Sequence, residues 1–269
     1  MPYLFDHVES VRRFLRSAPL GLFTDIDGTI SKIERSSAEA EVTPACRESL
    51  AILVQRLALV AAVSGRRVAD SIRMVGLEGM VYIGNHGYEI CCDGRFSRVP
   101  GVDGYAAEIR RLLERLSENI PAGVVISDKE VTAAIHYRRC PDPERARQAI
   151  LAALLGPARD AGLRISQGKM VLEIRPPLEV NKGTAVVSLA IDRNLRSLVY
   201  LGDDVTDVEA FVALHRPGLP FKALAIGVTD DEESPPGMAG EVDYTLNGVE
   251  DVERLLRLAV EEATGRPAS

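Results

Sequence analysis

The 269-residue sequence has no long uninterrupted run of apolar residues, no surplus of positive charge and no evident internal repeat. A membrane-spanning helix needs roughly 18 consecutive apolar residues or more, and no stretch of this chain approaches that length. The formal net charge of −7 at pH 7 argues against a nucleic-acid-binding surface, because such surfaces are basic. The sequence therefore predicts neither a nucleic-acid partner nor a membrane partner.

The sequence is also short of cysteine. The four that it contains, Cys46, Cys91, Cys92 and Cys140, do not show the spacing of a metal site, and we interpret them as reduced thiols. Residues 1–20 carry charges throughout and lack the apolar segment of a signal peptide. We therefore predict a cytoplasmic protein, and we expect it to be a monomer.

Apolar strands and amphipathic helices alternate in two separate parts of the chain. Leu20 to Phe23 and Leu59 to Val63 are continuous apolar runs, which are typical of strands buried on both faces. A helix pattern follows the first run, with Thr43 as N-cap and Pro44 at the first helical position. Strand–helix alternation of this kind predicts an α/β fold with a Rossmann-like parallel sheet.

The pattern changes between these two parts. Residues 101–179 show one helix and two strands, and then the same order again, which predicts an inserted α+β cap domain. The predicted catalytic core therefore comprises residues 1–100 and 180–269. The polar and charged stretch Ser31 to Glu41 is predicted to be a loop over the strand ends, and the Pro- and Gly-containing stretch Ser234 to Gly240 is predicted to be a surface loop.

Several predicted strands end in chemically reactive side chains. The first strand ends at Asp25 and Asp27, which share one side of the strand because side chains alternate faces. The second ends at Ser64, and a later one ends at Asp203, Asp204 and Asp207. Ligands of open parallel sheets bind beyond the carboxyl ends of the strands. We therefore expect these side chains to converge on one crevice.

The residue types in this crevice favour phosphoryl transfer. A cluster of carboxylates suits a hard divalent cation such as Mg²⁺. Ser64 and Lys182, which lies at a predicted helix N-terminus, are suited to binding a phosphate. Each short motif by itself is also typical of an ordinary turn or helix start, so the prediction depends on their combination and order.

That combination resembles the four motifs of the haloacid-dehalogenase-like phosphatases, and most closely the trehalose-6-phosphate phosphatase family. The matching core motifs, in chain order, are Asp25-Ile26-Asp27-Gly28-Thr29, Ser64-Gly65-Arg66, Lys182 and Gly202-Asp203-Asp204. The trehalose branch is further supported by Gly84-Asn85-His86-Gly87-Tyr88-Glu89, Lys129 with His136-Tyr137-Arg138, Leu172-Glu173-Ile174-Arg175-Pro176, Asn181-Lys182-Gly183 and Gly202-Asp203-Asp204-Val205-Thr206-Asp207. The resemblance covers about residues 20–260.

The resemblance implies a mechanism and a set of site residues. Asp25 attacks phosphorus as the nucleophile, and Asp27 is the general acid and then the general base. Ser64 and Lys182 bind the phosphoryl oxygens. The implied cofactor is Mg²⁺, and the candidate metal residues are Asp25, Asp27 through its backbone carbonyl, Asp203 and Asp207, the last either supporting the metal or holding Lys182. The candidate substrate-binding residues are Gly28, Thr29, Gly65, Arg66, His86, Lys129, Arg138 and Glu173. The alternatives are that Arg66 only pairs with a nearby acid, that His86 caps a turn, and that the cap residues form a solvated face.

Two positions depart from the family pattern. The family usually has Glu-x-Lys in the cap, whereas this chain has Ser127 and Lys129, so one expected sugar-binding carboxylate is missing. It also usually has Glu where this chain has Val208. The predicted partner is therefore a small-molecule sugar phosphate: trehalose 6-phosphate, or alternatively sucrose phosphate, a mannosyl-phosphoglycerate or a similar compound. A non-catalytic regulatory module and a phosphotransferase remain as alternatives from other functional classes.

Overall fold

The computed structural model describes residues 1–32, 40–168, 170–229, 235 and 237–265. The chain divides into two compact units, a core unit of Met1–Ser97 with Val180–Ser269 and an inserted unit of Arg98–Glu179. The inserted unit thus begins three residues before the predicted boundary at residue 101 and ends at the predicted residue.

The described residues form twelve strands and eight α-helices. The strands are β1 (Leu20–Thr24), β2 (Leu59–Val63), β3 (Val81–Gly84), β4 (Glu89–Cys92), β5 (Arg95–Arg98), β6 (Val125–Asp128), β7 (Ala133–His136), β8 (Arg164–Gly168), β9 (Val171–Arg175), β10 (Ser197–Gly202), β11 (Lys222–Thr229) and β12 (Tyr244–Asn247). The helices are α1 (Val8–Leu15), α2 (Pro44–Val54), α3 (Val68–Val75), α4 (Ala106–Ser117), α5 (Pro143–Asp160), α6 (Lys182–Asp192), α7 (Val205–Leu214) and α8 (Gly248–Thr264).

The core unit is built on an eight-stranded sheet in the order β12-β11-β10-β1-β2-β3-β4-β5. The six strands from β12 to β3 in this order run parallel, and β4 pairs with β3 in the antiparallel direction. Every residue of β1, β2 and β10 is buried, because helices cover both faces of the sheet. The predicted α/β fold with a Rossmann-like parallel sheet is confirmed.

Two apolar layers hold the helices on this sheet. One layer packs α1, α2 and α8 against one face, and the other packs α6 and α7 against the opposite face. The predicted start of α2 is confirmed, since the Thr43 side chain accepts a hydrogen bond from the backbone N–H of Cys46 and Pro44 opens the helix. The two-layer arrangement leaves the carboxyl ends of the parallel strands as the edge where loops can hold functional groups.

The inserted unit is a four-stranded antiparallel sheet in the order β6-β7-β9-β8, with α4 and α5 packed on one face. Ala133, Ile135, Leu172 and Ile174 point toward these helices. Because side chains alternate along strands, the residues between them lie on the other face. The predicted α+β architecture of this segment is confirmed.

The two predicted loops are described only in part, because residues 33–39, 230–234 and 236 lie outside the described residues. Within the second, the prediction of a surface loop is wrong at Met238, which is fully buried. Its thioether occupies the space beside Gly227 of β11 where a Cβ would otherwise lie. A search of the described residues for a helix long and apolar enough to cross a membrane found none.

Candidate active site

Three neighbouring parallel strands bring the predicted site residues to one edge of the core sheet. Asp25 directly follows β1, Ser64 follows β2 and Asp203 follows β10, and β1 lies between the other two. The Asp25 backbone N–H donates to the carbonyl of Leu201 at 2.8 Å, so strand pairing continues up to the nucleophile position. Strand order therefore juxtaposes side chains that are far apart in the sequence.

Lys182 reaches this edge from the first turn of α6. Asn181 caps the helix, accepting from the backbone N–H of Thr184, whose hydroxyl in turn accepts from the backbone N–H of Asn181. The Lys182 ammonium donates to Asp25 Oδ1 and to Asp207 Oδ1, each at 2.8 Å, and its side chain is only 2% exposed. Gly183 lets α6 approach α7, since a Cβ there would lie 2.4 Å from the Glu209 carbonyl oxygen. The helix start thus places a buried cation on Asp25.

Asp207 has hydrogen-bond donors on both carboxylate oxygens. Oδ1 accepts from Lys182 and from the Tyr200 hydroxyl at 2.6 Å. Oδ2 accepts from the backbone N–H groups of Asp203 and Asp204 at 3.2 and 3.0 Å. A carboxylate has about four acceptor positions, so these four donors occupy all the acceptor positions of Asp207. The arrangement favours the role of holding Lys182 over direct metal binding.

The three acids of this site carry more negative charge than Lys182 can neutralise. Asp25, Asp203 and Asp207 each offer a carboxylate oxygen, and the three oxygens lie within 4.8 Å of one another. Among the residues that the structure describes, Asp203 forms no ion pair, and Lys182 contacts only the other two. Three carboxylates against one ammonium leave two negative charges when all are ionised. One divalent cation would neutralise them.

The pKa values of these groups are shifted by burial and by the excess of negative charge around them. Burial raises the pKa of the Asp25 carboxyl to about 8; Lys182 opposes this shift, and Asp207 adds to it. Burial likewise raises the pKa of the Asp203 carboxyl well above its usual value, with repulsion from Asp25 and Asp207. Burial disfavours the charged form of Lys182, but the two acids outweigh it and raise the pKa of the ammonium. A bound cation would favour the ionised form of both carboxyls.

Gly28 and Thr29 lie against Asp203. A Cβ on Gly28 would lie 2.1 Å from Asp203 Oδ2, and the residue has a φ of +80°. Thr29 is fully buried, and its hydroxyl lies 3.5 Å from Asp203 Oδ1. Both residues were expected to bind substrate, and that role stays a prediction; in the structure they lie against the Asp203 carboxylate.

Arg66 forms a two-pronged ion pair with Asp27. Its Nε and one terminal nitrogen donate to the two carboxylate oxygens of Asp27, each at 2.6 Å. The Arg66 backbone N–H donates to the Ser64 hydroxyl oxygen at 3.1 Å, which leaves the Ser64 proton available to a ligand. The Ser64-Gly65-Arg66 turn therefore connects the predicted phosphate-binding hydroxyl with the predicted acid/base.

The loop after β3 packs on this turn. The backbone N–H of Asn85 donates to the Arg66 carbonyl at 2.7 Å, and that of His86 donates to the Ser64 carbonyl at 3.1 Å. Asn85 and His86 have positive φ values of 50° and 58°, which are uncommon for residues other than glycine. The His86 ring lies against Gly65, where a Cβ would be 2.4 Å from the imidazole carbon Cε1. His86 is therefore a neighbour of the predicted phosphate-binding turn.

This contact makes a testable prediction. Gly65→Ala is expected to destabilise the wild-type chain by about 1–3 kcal/mol, because the new methyl group collides with the buried imidazole. In a His86→Ala background the space is open, and the same change should cost less than about 0.5 kcal/mol. Urea unfolding of the four variants of the cycle measures both values. Equal costs in the two backgrounds would show that the ring does not restrict Gly65.

The inserted unit, described by itself, has a cluster of charged side chains on the sheet face opposite its helices. Two guanidinium nitrogens of Arg175 donate to one carboxylate oxygen of Glu173, Oε2. Lys129 Nζ lies 3.9 Å from the other Glu173 oxygen. The side chains of all three residues are largely buried. The structure therefore places two of the predicted substrate-binding residues, Lys129 and Glu173, side by side.

This chain has Ser127 where the family usually has a glutamate. The row of side chains across the sheet at this position shows which residue carries a carboxylate there. Ser127 pairs with Ala134, which pairs with Glu173, which pairs with Ser166. Glu173 therefore supplies the carboxylate of that row, two strands from Ser127. Arg138, the third predicted residue of this unit, lies beyond the end of β7 and is exposed. Its role as a substrate-binding residue stays a prediction.

The family profile described as trehalose-phosphatase matches residues 23–234, a range that contains every site residue described above. The chain belongs to the trehalose-phosphatase family. A trehalose-phosphate phosphatase of Mycobacterium bovis (strain BCG / Pasteur 1173P2) is 31% identical over 251 residues, which cover 88% of this chain and 61% of that protein. The chain thus spans less than two thirds of the length of the curated relatives that it matches first. The resemblance stated from the motifs is confirmed at the level of the trehalose-phosphatase family.

Two solved structures share the fold of this family member. The C-terminal domain of C. albicans trehalose-6-phosphate phosphatase superposes with a TM-score of 0.78 at 20% identity, covering 96% of this chain and 97% of that one. A structure described as a trehalose-6-phosphate phosphatase related protein has a TM-score of 0.75 at 23% identity, covering 89% and 96%. At these identities both likenesses establish the fold alone.

Sequence reasoning missed Tyr200 of this trehalose-phosphatase site. Tyr200 lies within the apolar run Leu198 to Leu201, two positions before Gly202, and is fully buried. Burial raises the pKa of its hydroxyl, and Asp207 adds to the shift, so the group remains a proton donor. A tyrosine in an otherwise aliphatic central strand was the available signal, since a buried hydroxyl needs a hydrogen-bond partner.

Proposed function

We propose that this chain is a Mg²⁺-dependent phosphatase that hydrolyses trehalose 6-phosphate to trehalose and phosphate through an aspartyl-phosphate intermediate. The observation that carries the proposal is the buried contact between Asp25 and Lys182, with the carboxylate of Asp203 beside it. A carboxylate kept at a strand end between a fixed ammonium and a second acid is suited to attack a phosphoryl group. The choice of sugar is supported by the similar mycobacterial protein, which is a trehalose-phosphate phosphatase.

The donor set of the site fits Mg²⁺. Asp25, Asp203 and the backbone carbonyl of Asp27 are the oxygens that we propose as ligands, because Asp207 already has donors on both oxygens. Mg²⁺ prefers carboxylate, carbonyl and water oxygens. When bound, it would neutralise charge on the transferring phosphoryl group.

The chain's own residues account for the two chemical steps. In the first step an Asp25 oxygen bonds to phosphorus, the bond from phosphorus to the sugar oxygen breaks, and Asp27 gives that oxygen a proton. In the second step water attacks phosphorus, Asp27 takes a proton from it, and the bond to Asp25 breaks. Arg66 donates one hydrogen bond to each Asp27 oxygen, so each oxygen keeps a further acceptor position at which Asp27 can carry the proton.

The remaining site residues bind and orient the substrate. We propose that Ser64 and the third ammonium N–H of Lys182 donate to phosphoryl oxygens, where negative charge develops. The other proposed substrate-binding residues are, in the core unit, Gly28, Thr29, Gly65, Arg66 and His86, and, in the inserted unit, Lys129, Arg138 and Glu173. Glu173 and Lys129 offer an acceptor and a donor to sugar hydroxyls.

The test is phosphate release from a panel of sugar phosphates. We expect kcat/KM to be highest for trehalose 6-phosphate, at least about tenfold above sucrose 6-phosphate and glucose 6-phosphate, because a matched set of hydroxyl contacts distinguishes sugars by 1–3 kcal/mol or more. Removing divalent ions with EDTA should abolish release, and Mg²⁺ should restore it. A rate on trehalose 6-phosphate no better than that on glucose 6-phosphate would refute the substrate assignment. Transfer of the phosphoryl group without free phosphate would refute hydrolysis.

The role of Asp27 can be tested through the leaving group. Asp27→Asn is expected to slow the first turnover of trehalose 6-phosphate by about 10²–10⁴-fold, because a sugar alkoxide cannot leave without a proton. The p-nitrophenolate ion leaves without one. The same variant should therefore release p-nitrophenol from p-nitrophenyl phosphate in a burst of one equivalent per site, followed by slow turnover. Equal slowing of the first turnover with both substrates would contradict this role.

A further inference from the structure

A buried hydrogen-bond chain extends from β10 to the nucleophile. The Tyr200 hydroxyl donates to Asp207 Oδ1 at 2.6 Å, and Lys182 donates to that same oxygen and to Asp25 Oδ1 at 2.8 Å each. Tyr200, Lys182 and Asp207 are all 2% exposed or less. No water competes for these contacts, so each group depends on the next for its position.

The Tyr200 ring is itself restrained. It packs edge-on against Phe211 of α7, with ring centroids 5.6 Å apart and an interplanar angle of 86°. It lies in the apolar layer that α6 and α7 form on the core sheet. The hydroxyl therefore projects from a rigid strand at a fixed place and holds one oxygen of Asp207 from the side opposite the helix cap.

The geometry of Asp207 shows why a second donor on Oδ1 matters. Oδ2 is held by the backbone N–H groups of Asp203 and Asp204, which fix one end of the carboxylate. Rotation about the Cβ–Cγ bond moves both oxygens, so donors on both restrain the carboxylate more strongly than donors on Oδ2 alone. The Tyr200 hydroxyl restrains the other end, and that end is the one on which the Lys182 ammonium rests.

We propose that Tyr200 is a positioning residue that, through Asp207, fixes the Lys182 ammonium beside Asp25. This inference rests on the proposed phosphatase function for its kinetic consequence. Lys182 contacts the charge that develops on the phosphoryl group, so a small displacement of the ammonium weakens the transition state more than the bound substrate.

The test is Tyr200→Phe, which keeps the ring and removes one oxygen atom. We expect kcat for trehalose 6-phosphate to fall about 5- to 50-fold while KM changes less than about threefold. The matched control is Tyr82→Phe. Tyr82 is also buried in a strand of the core sheet, but its hydroxyl bonds to the backbone of Leu77, away from the acids. The control should keep kcat within about twofold, and a fall in kcat equal to that of Tyr200→Phe would overturn the proposal.

A double-mutant cycle separates positioning from a general packing effect. If Tyr200 acts through Asp207, Tyr200→Phe should lower kcat no further once Asp207 is changed to Ala. If the two substitutions lower kcat by independent factors that multiply in the double variant, the action of Tyr200 through Asp207 is refuted. Running the cycle on p-nitrophenyl phosphate as well keeps it informative if trehalose 6-phosphate is not the substrate.

A crystal structure of the variant tests the inference without any measurement of activity. In a crystal structure of Tyr200→Phe, the Lys182 nitrogen is expected to lose its 2.8 Å contact with Asp25 or with Asp207. An unchanged ammonium position, together with an unchanged kcat, would overturn the inference. Failure of the wild-type protein to release phosphate would instead refute the proposed function and leave this readout intact.

Discussion

The Asp25→Asn variant is expected to lose phosphatase activity by about 10⁴-fold or more with Mg²⁺ present, because an amide cannot form an acyl-phosphate. The substitution preserves the size of the side chain, and the amide oxygen can still accept from Lys182. The burial of Asp25, 4% exposed, leaves little room for water or a substitute nucleophile to take its place. Single-turnover and steady-state release of phosphate measure the loss.

Asp160→Asn provides the matched control for this experiment. Asp160 lies at the end of α5 with a side chain that is 75% exposed, and the same chemical change there should leave kcat within about twofold. Acid quenching of the wild-type reaction should trap phosphate on the protein, and the Asp25→Asn variant should trap none. Activity of Asp25→Asn above one hundredth of the wild-type value would refute nucleophilic catalysis by this residue.

Lys182→Met is expected to damage both catalysis and folding. Methionine matches the length of the side chain, but it removes the positive charge that contacts Asp25 and Asp207. Breaking a buried ion pair by removing one partner costs about 3–5 kcal/mol of folding stability. Loss of a donor to the phosphoryl oxygens should lower kcat by about 10²–10³-fold. Chemical unfolding in EDTA and phosphate release in Mg²⁺ measure the two effects separately.

Lys222→Met is the corresponding control, because Lys222 is exposed at the start of β11. It should change the free energy of unfolding by less than about 0.5 kcal/mol and kcat by less than about twofold. Added Mg²⁺ should recover part of the stability that Lys182→Met loses, since it supplies positive charge to the same acids. A variant that unfolds like the wild type in EDTA would show that Lys182 is not the counter-ion of these carboxylates.

The strand ends of the core were predictable because two simple rules apply there. The continuous apolar runs that became β1 and β2 indicated strands buried on both faces, and parallel strands place their carboxyl ends together. Asp25, Ser64 and Asp203 follow from those rules without any knowledge of side-chain packing. The helix starts at Pro44 and Lys182 were likewise indicated by local residue chemistry, a threonine cap in one case and an asparagine cap in the other.

Contacts between side chains from distant segments were not predictable in the same way. Arg66 was expected either to contact substrate or to pair with a nearby acid, and only the structure identifies that acid as Asp27. Met238 was expected on a surface loop, yet it fills the space beside Gly227. Each outcome depends on the shape left by other elements, and that shape is not encoded in any short window of residues.

By itself, the sequence determined the α/β fold class, the insertion of an α+β unit, the edge of the sheet that carries the chemistry and the family. Local periodicity, turn chemistry and motif order are sufficient for these. Only the tertiary structure decided that Asp207 is filled by four donors, that Tyr200 is one of them, and that Asp25 and Asp203 share a deficit of positive charge. The physical reason is that burial and hydrogen-bond saturation depend on three-dimensional neighbours, whereas strand and helix patterns depend on residues adjacent in the chain.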